Sequence, residues 1–556
     1  MLKKIAFVTY ETPFAPCGGI AAVIGRLPGY VKKASGLETI VITPFHHKIE
    51  KTSSLKVETA ATLNVRYESD SIPVALCKYN DPKTSWSWYF VKPENENFFG
   101  GFPNPYLVGD TPAQISANLR RDSLLFGASV AMALNLISSE TEWIVLMQDW
   151  EAATTALALT NQDHQHRQFL TLHNSYDTEV TDDVLSQIGV DARKCPGETM
   201  LERALPLIRR PVFTVSEQFA EDLTSDVLQS EVMADHLQIY FKLGLLGVNN
   251  GPFETLNVNK GAVADALKGS FQCLQEWKAD NRRNALVELD AVVPSDKTPV
   301  WGDLRKFRRD EACWFVMAGR DDPRQKGYDV AAAAVSRFLE SGGDARFFFF
   351  PIPGDEGEPG LYFLKGLAEK FPENVLVFPF VWREGFFATL RGAAYGVMPS
   401  LYEPFGGANE FYLNGTVGIG RATGGLLLQI VPLWSVSSFG QSTQKRSQRW
   451  HSLSSSPTGL LFREKDDIES VAADWQGLND ARYEVGNSSN NRVQERMQYS
   501  LFNEMANELY LAIQDGARIY QESPEIYYRM LKDGMVHIQN SFSWERAAQE
   551  YVRNAV

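Results

Sequence analysis

Short apolar runs alternate with amphipathic stretches along the whole chain, and the alternation is played out twice. In the first half the runs are Ile5 to Thr9, Thr39 to Thr43, Trp143 to Met147, Phe169 to Leu172 and Val212 to Val215. In the second half they are Trp314 to Ala318, Arg346 to Phe350, Val375 to Phe378 and Gly396 to Pro399, with helical patterns such as Val330 to Leu339 between them. Runs of this kind, followed by polar residues, are strands buried on both faces, and the stretches between them supply crossover helices. The fold class is therefore α/β with parallel sheets. A chain of 556 residues is too long for one core. The polar, Pro-containing segment Leu286 to Arg309 reads as the boundary, giving domains 1–300 and 301–530 with a terminal helical piece 531–556. Ligands of such sheets bind at the carboxyl edges of the strands, so the expected active site is a cleft between the two domains. Two segments lack a period: Asn80 to Thr111, rich in aromatic, Pro, Gly and Asn residues, reads as a long excursion over the first domain's mouth. Ser435 to Pro457, Ser-rich and locally basic, reads as a mobile surface loop.

Composition narrows the function. The formal net charge is -14, so the surface repels phosphate backbones and anionic lipid, and neither a nucleic acid nor a membrane surface is expected as a partner. Five scattered cysteines with no C-x-x-C pair form neither a disulfide framework nor a zinc site. No run approaches membrane-spanning length, and the opening apolar run is too short for a signal-peptide core. These features describe a soluble cytoplasmic protein; they leave the oligomeric state open.

Two segments carry chemistry in the second half. Ala318-Gly319-Arg320-Asp321-Asp322-Pro323-Arg324-Gln325-Lys326-Gly327 directly follows a strand, which puts Arg320 and Lys326 at its carboxyl edge. Two cations there can hold a diphosphate and neutralise the charge that builds as it leaves. A lone basic pair would more simply be solvated; the strand before it and the companion segment turn the reading toward a site. That companion, Pro399-Ser400-Leu401-Tyr402-Glu403-Pro404-Phe405-Gly406-Gly407, also follows a strand. Its glycines open a helix whose amides favour anionic oxygens, and Glu403 can accept hydrogen bonds from sugar hydroxyls. Thr423-Gly424-Gly425 adds a small-residue turn suited to close backbone approach.

Arg320…Lys326-Gly327, Glu403-Pro404-Phe405-Gly406 and Thr423-Gly424-Gly425 together resemble the donor half of glycogen and starch synthases, retaining glycosyltransferases of family 5 with the two-Rossmann-domain (GT-B) fold. The first half is similar to the same family in Glu11…Pro16-Cys17-Gly18-Gly19-Ile20, Gln148-Asp149-Trp150-Glu151 and Leu172-His173-Asn174-Ser175. Thr214-Val215-Ser216, Asn249-Asn250-Gly251 and Phe542-Ser543-Trp544 resemble its interdomain and terminal segments, in family order across nearly the whole chain. The resemblance implies two Rossmann-like domains facing across a deep cleft, with a C-terminal helix crossing back to the first. It implies a hexosyltransferase that moves a glucosyl unit from ADP-glucose or UDP-glucose to an α-glucan or related carbohydrate acceptor in glycogen biosynthesis, with no cofactor and no metal. Arg320 and Lys326 would bind the donor phosphates, Glu403 would position the sugar, and His173 would lie at the sugar's face. Asp149 would organise the cleft, and Gly18, Gly19, Asn174, Gly406, Gly407, Thr423, Gly424 and Gly425 would line the donor or substrate site.

Four departures qualify the pattern. Pro16 stands where bacterial and plant synthases carry Lys beside the Gly-Gly pair, and Gln148 and Glu151 stand where His is usual. Arg320 and Lys326 are one residue further apart than in bacterial enzymes, and Glu410 falls seven, not eight, residues after Glu403. These point to two alternatives: a transferase for a different sugar or acceptor, or a catalytically weakened homologue that binds nucleotide or glucan as a partner. The chain contains no Asp-x-Asp motif of the kind that holds a divalent cation on a diphosphate. Aromatic residues at Trp86, Trp88, Phe98 and Phe99 could stack on sugar rings or simply pack locally.

Overall fold

A computed structural model describes residues 2–556 apart from 54, 163, 310, 355, 466–470 and 482–488. Contacts group the chain into two compact units, Met1–Gly251 with Ser543–Val556, and Pro252–Phe542. The segment read from sequence as the boundary begins inside the helix Gln272–Ala291, which lies in the second unit.

The first unit is built on nine strands: β1 (Leu2–Thr9), β2 (Thr39–Pro44), β3 (Glu58–Tyr67), β4 (Asp70–Tyr79), β5 (Ser87–Pro93), β6 (Thr141–Gln148), β7 (Arg167–Leu172), β8 (Val212–Thr214) and β9 (Leu245–Gly247), in the order β3-β4-β5-β2-β1-β6-β7-β8-β9. The strands read from the apolar runs are all present, and β1 pairs in parallel with both β2 and β6. The part that the sequence did not reveal is the edge, where β3, β4 and β5 pair antiparallel. In β3 only Leu63, Val65 and Tyr67 are buried, and most of the outward residues are polar, so the strand lacks the continuous apolar run that marks a central one. β5 also crosses the segment expected to be irregular. Trp86, Trp88, Phe98 and Phe99 in and around it are buried, which excludes sugar stacking by them and makes them core. The final helix, Trp544–Ala555, belongs to this unit: Tyr551 packs on Phe213 at 4.6 Å between ring centroids and meets the Thr171 hydroxyl at 3.1 Å.

The second unit carries six strands, all parallel: β10 (Cys313–Arg320), β11 (Ala345–Ile352), β12 (Val375–Val377), β13 (Tyr395–Met398), β14 (Val417–Arg421) and β15 (Leu460–Phe462). Their order, β12-β11-β10-β13-β14-β15, is the 3-2-1-4-5-6 order of a Rossmann sheet. The segment 435–457 corrects its sequence reading: it contains the helix Gln441–Ser447, with Ser442, Thr443 and Ser447 buried. Among the described residues, no helix is long and apolar enough to cross a membrane.

One ion pair ties the second unit's helical layer together. Arg496 Nε donates to Asp329 Oδ2 at 2.6 Å, and both side chains are fully buried. Removing one member of such a pair strands the other charge in the interior. Arg496→Met is therefore expected to destabilise the second unit by about 3–5 kcal/mol in urea denaturation. The double variant with Asp329→Asn is expected to recover most of that loss; a single variant as stable as the parent would show that the pair contributes nothing.

Candidate active site

The topology decides which loops meet. In the second unit the chain leaves β10 toward β11 and β12, then returns to place β13 on the other side of β10. The loops after β10 and β13 therefore flank the topological switch point, where a Rossmann sheet leaves a crevice. Arg320 ends β10, Lys326 lies in the loop after it, and Glu403 lies in the loop after β13. Lys326 Nζ donates to Glu403 Oε2 at 2.7 Å, and Ser400 Oγ donates to the same oxygen at 2.9 Å. The Leu401 amide donates to the Gln325 carbonyl at 2.7 Å, so the two loops are also joined through their backbones.

The loop after β14 supports this arrangement from within. Gly425 N–H donates to the Glu403 carbonyl at 3.0 Å. A Cβ on Gly424 would sit 1.8 Å from that carbonyl oxygen, and one on Gly425 would sit 1.9 Å from the Phe405 carbonyl oxygen. Thr423, Gly424 and Gly425 are all buried. Their smallness thus serves the approach of one backbone to another. Arg421, fully buried, donates through Nε to Glu464 Oε2 at 2.8 Å and through Nη1 to the Leu401 carbonyl. Burial alone would raise the Glu464 carboxyl, but the guanidiniums of Arg421 and Arg463 outweigh it and hold the group at about 2. Gly406, at φ 83°, turns the chain into the helix Ala408–Leu413. The first-turn amides expected to meet an anion are partly committed already, because Asn409 N–H donates to Gln429 Oε1 at 2.7 Å and Glu410 N–H to the Gly407 carbonyl at 3.0 Å. Gly407 faces more open space, with Glu410 Oε2 3.7 Å from a Cβ built there.

In the first unit the same logic places the loops after β1 and β6 side by side, because β1 lies between β2 and β6. Glu11 follows β1, and its Oε1 accepts the N–H groups of Cys17 (2.9 Å), Gly18 (2.6 Å) and Ala21 (3.2 Å). Tyr106 Oη donates to Oε2 at 3.3 Å. The Gly-Gly loop is therefore folded around an internal carboxylate, and the Gly18 amide expected to approach a ligand is occupied by it; a Cβ on Gly19 would meet nothing within 4 Å. Pro16 fills the aligned place of the expected cation, but Lys48 Nζ, on the helix His47–Thr52, donates to the Pro16 carbonyl at 2.6 Å. An ammonium thus stands at this loop after all.

Asp149 opens the helix after β6 at φ 60°, a left-handed conformation that Asp and Asn adopt more readily than other side chains. It accepts the His173 N–H at Oδ1 (2.6 Å) and Asn174 Nδ2 at Oδ2 (3.0 Å). Gln148 Nε2 donates to the Leu146 carbonyl at 3.2 Å, which fixes the amide and turns its Oε1 to His173 Nε2 at 2.9 Å. The proton of the neutral imidazole is thereby held on Nε2 and Nδ1 becomes the acceptor. Burial lowers His173 to about 3. Glu151, buried beside Asp149, is pushed well above the carboxylate range by burial and by the Asp149 and Glu11 charges. Burial raises Asp149 to about 7 against the pull of its two N–H donors.

Of the residues singled out in the sequence, Lys326 and Glu403 meet, Arg320 ends the strand before their loop, and Asp149 meets His173 and Asn174. Sequence reasoning did not find Glu11 as the organiser of the Gly-Gly loop, nor Ser400 and Arg421 as supports of Glu403's loop. A buried Glu two residues past a strand end was the available signal for Glu11. Among the described residues, no group of three or more His, Cys, Asp or Glu side chains is placed to hold a metal ion.

The two sheets, with charged loops at both switch points, have the architecture of the GT-B fold. Residues 4–238 match the family model of the starch synthase catalytic domain. The chain is 25% identical over 451 residues to glycogen synthase from Thermosipho melanesiensis, covering 76% of this chain and 84% of the relative. It is likewise 25% identical over 455 residues to glycogen synthase from Alkaliphilus metalliredigens, with the same two shares. Its fold is that of the catalytic domain of starch synthase IV from Arabidopsis thaliana bound to ADP and acarbose, at a TM-score of 0.68 and 16% identity over 99% of this chain and 98% of that one. An α,α-trehalose-phosphate synthase (UDP-forming) from Burkholderia vietnamiensis is more distant, at a TM-score of 0.50 and 10% identity over 99% and 97%. The chain is a glycogen/starch synthase-like glycosyltransferase, a hexosyltransferase.

The raised carboxyl of Asp149 has a pH signature. A carboxyl lifted from 3.8 to about 7 contributes stability below its ordinary value, and this is lost as pH rises through 7. Asp149→Asn keeps the left-handed backbone and removes the titration. The variant's melting temperature relative to the parent is therefore expected to rise between pH 4 and pH 7.5. An unchanging difference across that range would show that Asp149 is not held protonation-sensitive by burial.

Proposed function

We propose that the enzyme is a retaining, metal-independent glucosyltransferase that uses ADP-glucose or UDP-glucose and extends an α-glucan. The observation that carries this reading is the 2.7 Å contact of Lys326 with Glu403 at the second sheet's switch point, where Arg320 ends β10. Arg320 and Lys326 hold the donor's diphosphate and offset the charge that develops on it, and Glu403 accepts hydrogen bonds from the transferred sugar. The C1–O bond to the diphosphate breaks, the acceptor hydroxyl oxygen bonds to C1 on the same face, and its proton passes to the leaving phosphate oxygen. No protein nucleophile takes part. His173, neutral above pH 3, serves as a hydrogen-bond partner to the sugar, with Asp149 and Gln148 fixing its position and tautomer. ADP in the starch synthase IV structure supports an adenine donor, and the glycogen synthase relatives support a glucan acceptor. A cytoplasmic location suits these substrates.

The test is nucleotide release from ADP-glucose and from UDP-glucose, each with and without glycogen, and each repeated with EDTA. Glycogen-dependent release from one of the two donors, undiminished by EDTA, is the expected result. No release from either donor would overturn the assigned substrates, and release that EDTA abolishes would overturn the metal-independent mechanism.

A further inference from the structure

The loop between Arg320 and Lys326 is folded about Asp322. The Asp322 carbonyl accepts the N–H groups of Gln325 and Lys326, both at 2.9 Å, and its Oδ1 accepts the N–H of Arg324 at 3.0 Å. The same carboxylate faces two guanidiniums: Arg320 Nη2 lies 3.7 Å from Oδ2 and Arg324 Nε lies 3.7 Å from Oδ1. Asp322 is buried, with 7% of its side chain exposed, whereas Arg320 and Arg324 keep 32% and 25% of theirs open. One buried anion thus gathers two partly open cations beside the Lys326 ammonium, on one loop at the carboxyl end of β10. Lys326 is in turn held by Glu403.

Asp321, the other acid of the loop, is buried and driven well above the carboxylate range by burial, reinforced by Glu356 and Asp322. A planar guanidinium is suited to phosphate oxygens because it presents paired N–H donors in a fixed geometry. A lone surface arginine carries no such meaning; what distinguishes Arg324 is that it shares Arg320's buried counter-ion.

We propose that Arg324 is a third phosphate-contacting residue of the donor site and that Asp322 is the positioning residue that sets Arg320 and Arg324 side by side. This rests on the reading of the Arg320–Lys326 loop as a diphosphate clamp. The contact that Arg324 adds distinguishes a nucleoside diphosphate from a monophosphate.

Isothermal titration of the full chain with ADP, AMP, UDP and UMP tests it. The parent protein is expected to prefer the diphosphate of one base over its monophosphate. Arg324→Ala is expected to weaken diphosphate binding about tenfold, the size of one lost charge-assisted contact, with little change for the monophosphate. Arg324→Lys, keeping the charge without the fork, is expected to recover part of the preference. Asp322→Asn is expected to lower the same diphosphate-to-monophosphate ratio, which a purely structural role would not move selectively. Should the Ala variant fail to fold, Arg324→Gln, close in length, carries the comparison. An unaltered ratio in the folded Arg324 variants overturns this inference alone. A parent protein with no diphosphate preference for either base overturns the clamp beneath it.

Discussion

The contact between Lys326 and Glu403 ties together the two loops at the second unit's switch point. It joins two loops that are far apart in sequence and adjacent only because the second sheet reverses its strand order at β10. Glu403 is buried, so its charge is tolerable only while Lys326 and Ser400 donate to it. The surrounding features keep that pair in place: the Leu401 to Gln325 backbone bond, the Arg421 contact to the Leu401 carbonyl, and the two glycines that let the Glu403–Phe405 backbone pass. A site built this way is organised before any ligand arrives, which is the condition for electrostatic stabilisation of a developing charge.

The first unit applies the same topology to the opposite charge. Its switch point gathers Glu11, Asp149 and Glu151, and the amides that a Gly-Gly loop might have offered to an anion are spent on Glu11. One unit therefore presents cations suited to phosphate, and the other presents carboxyls and a neutral histidine suited to hydroxyl groups. The substitution of Gln148 for the usual histidine has a local consequence, since its amide selects the His173 tautomer.

Much of this was legible in the sequence because buried parallel strands announce themselves as unbroken apolar runs, and functional residues of such sheets follow those runs directly. Arg320, Lys326, Glu403, Asp149 and His173 could all be placed by that rule. What stayed hidden depends on distance in space. The β3–β4 edge hairpin is too polar on its outer face to stand out, and the buried serines of residues 441–447 read as a solvated loop. The Lys48 ammonium lies 32 positions from the Pro16 carbonyl it reaches, so no local motif could show that a cation returns to the Gly-Gly loop. The backbone approach that Gly424 and Gly425 permit was likewise hidden, because sequence shows that a small residue is needed but not what approaches it.

The most direct test is a double-mutant cycle on Lys326 and Glu403, reading kcat/KM for glycogen-dependent nucleotide release with the active donor. If the two residues act as one unit, Lys326→Ala and Glu403→Ala each lower kcat/KM by about 100-fold or more, and the double variant is little worse than either single one. Costs that multiply in the double variant, or near-normal turnover by Lys326→Ala, would contradict a pre-organised clamp centred on this pair.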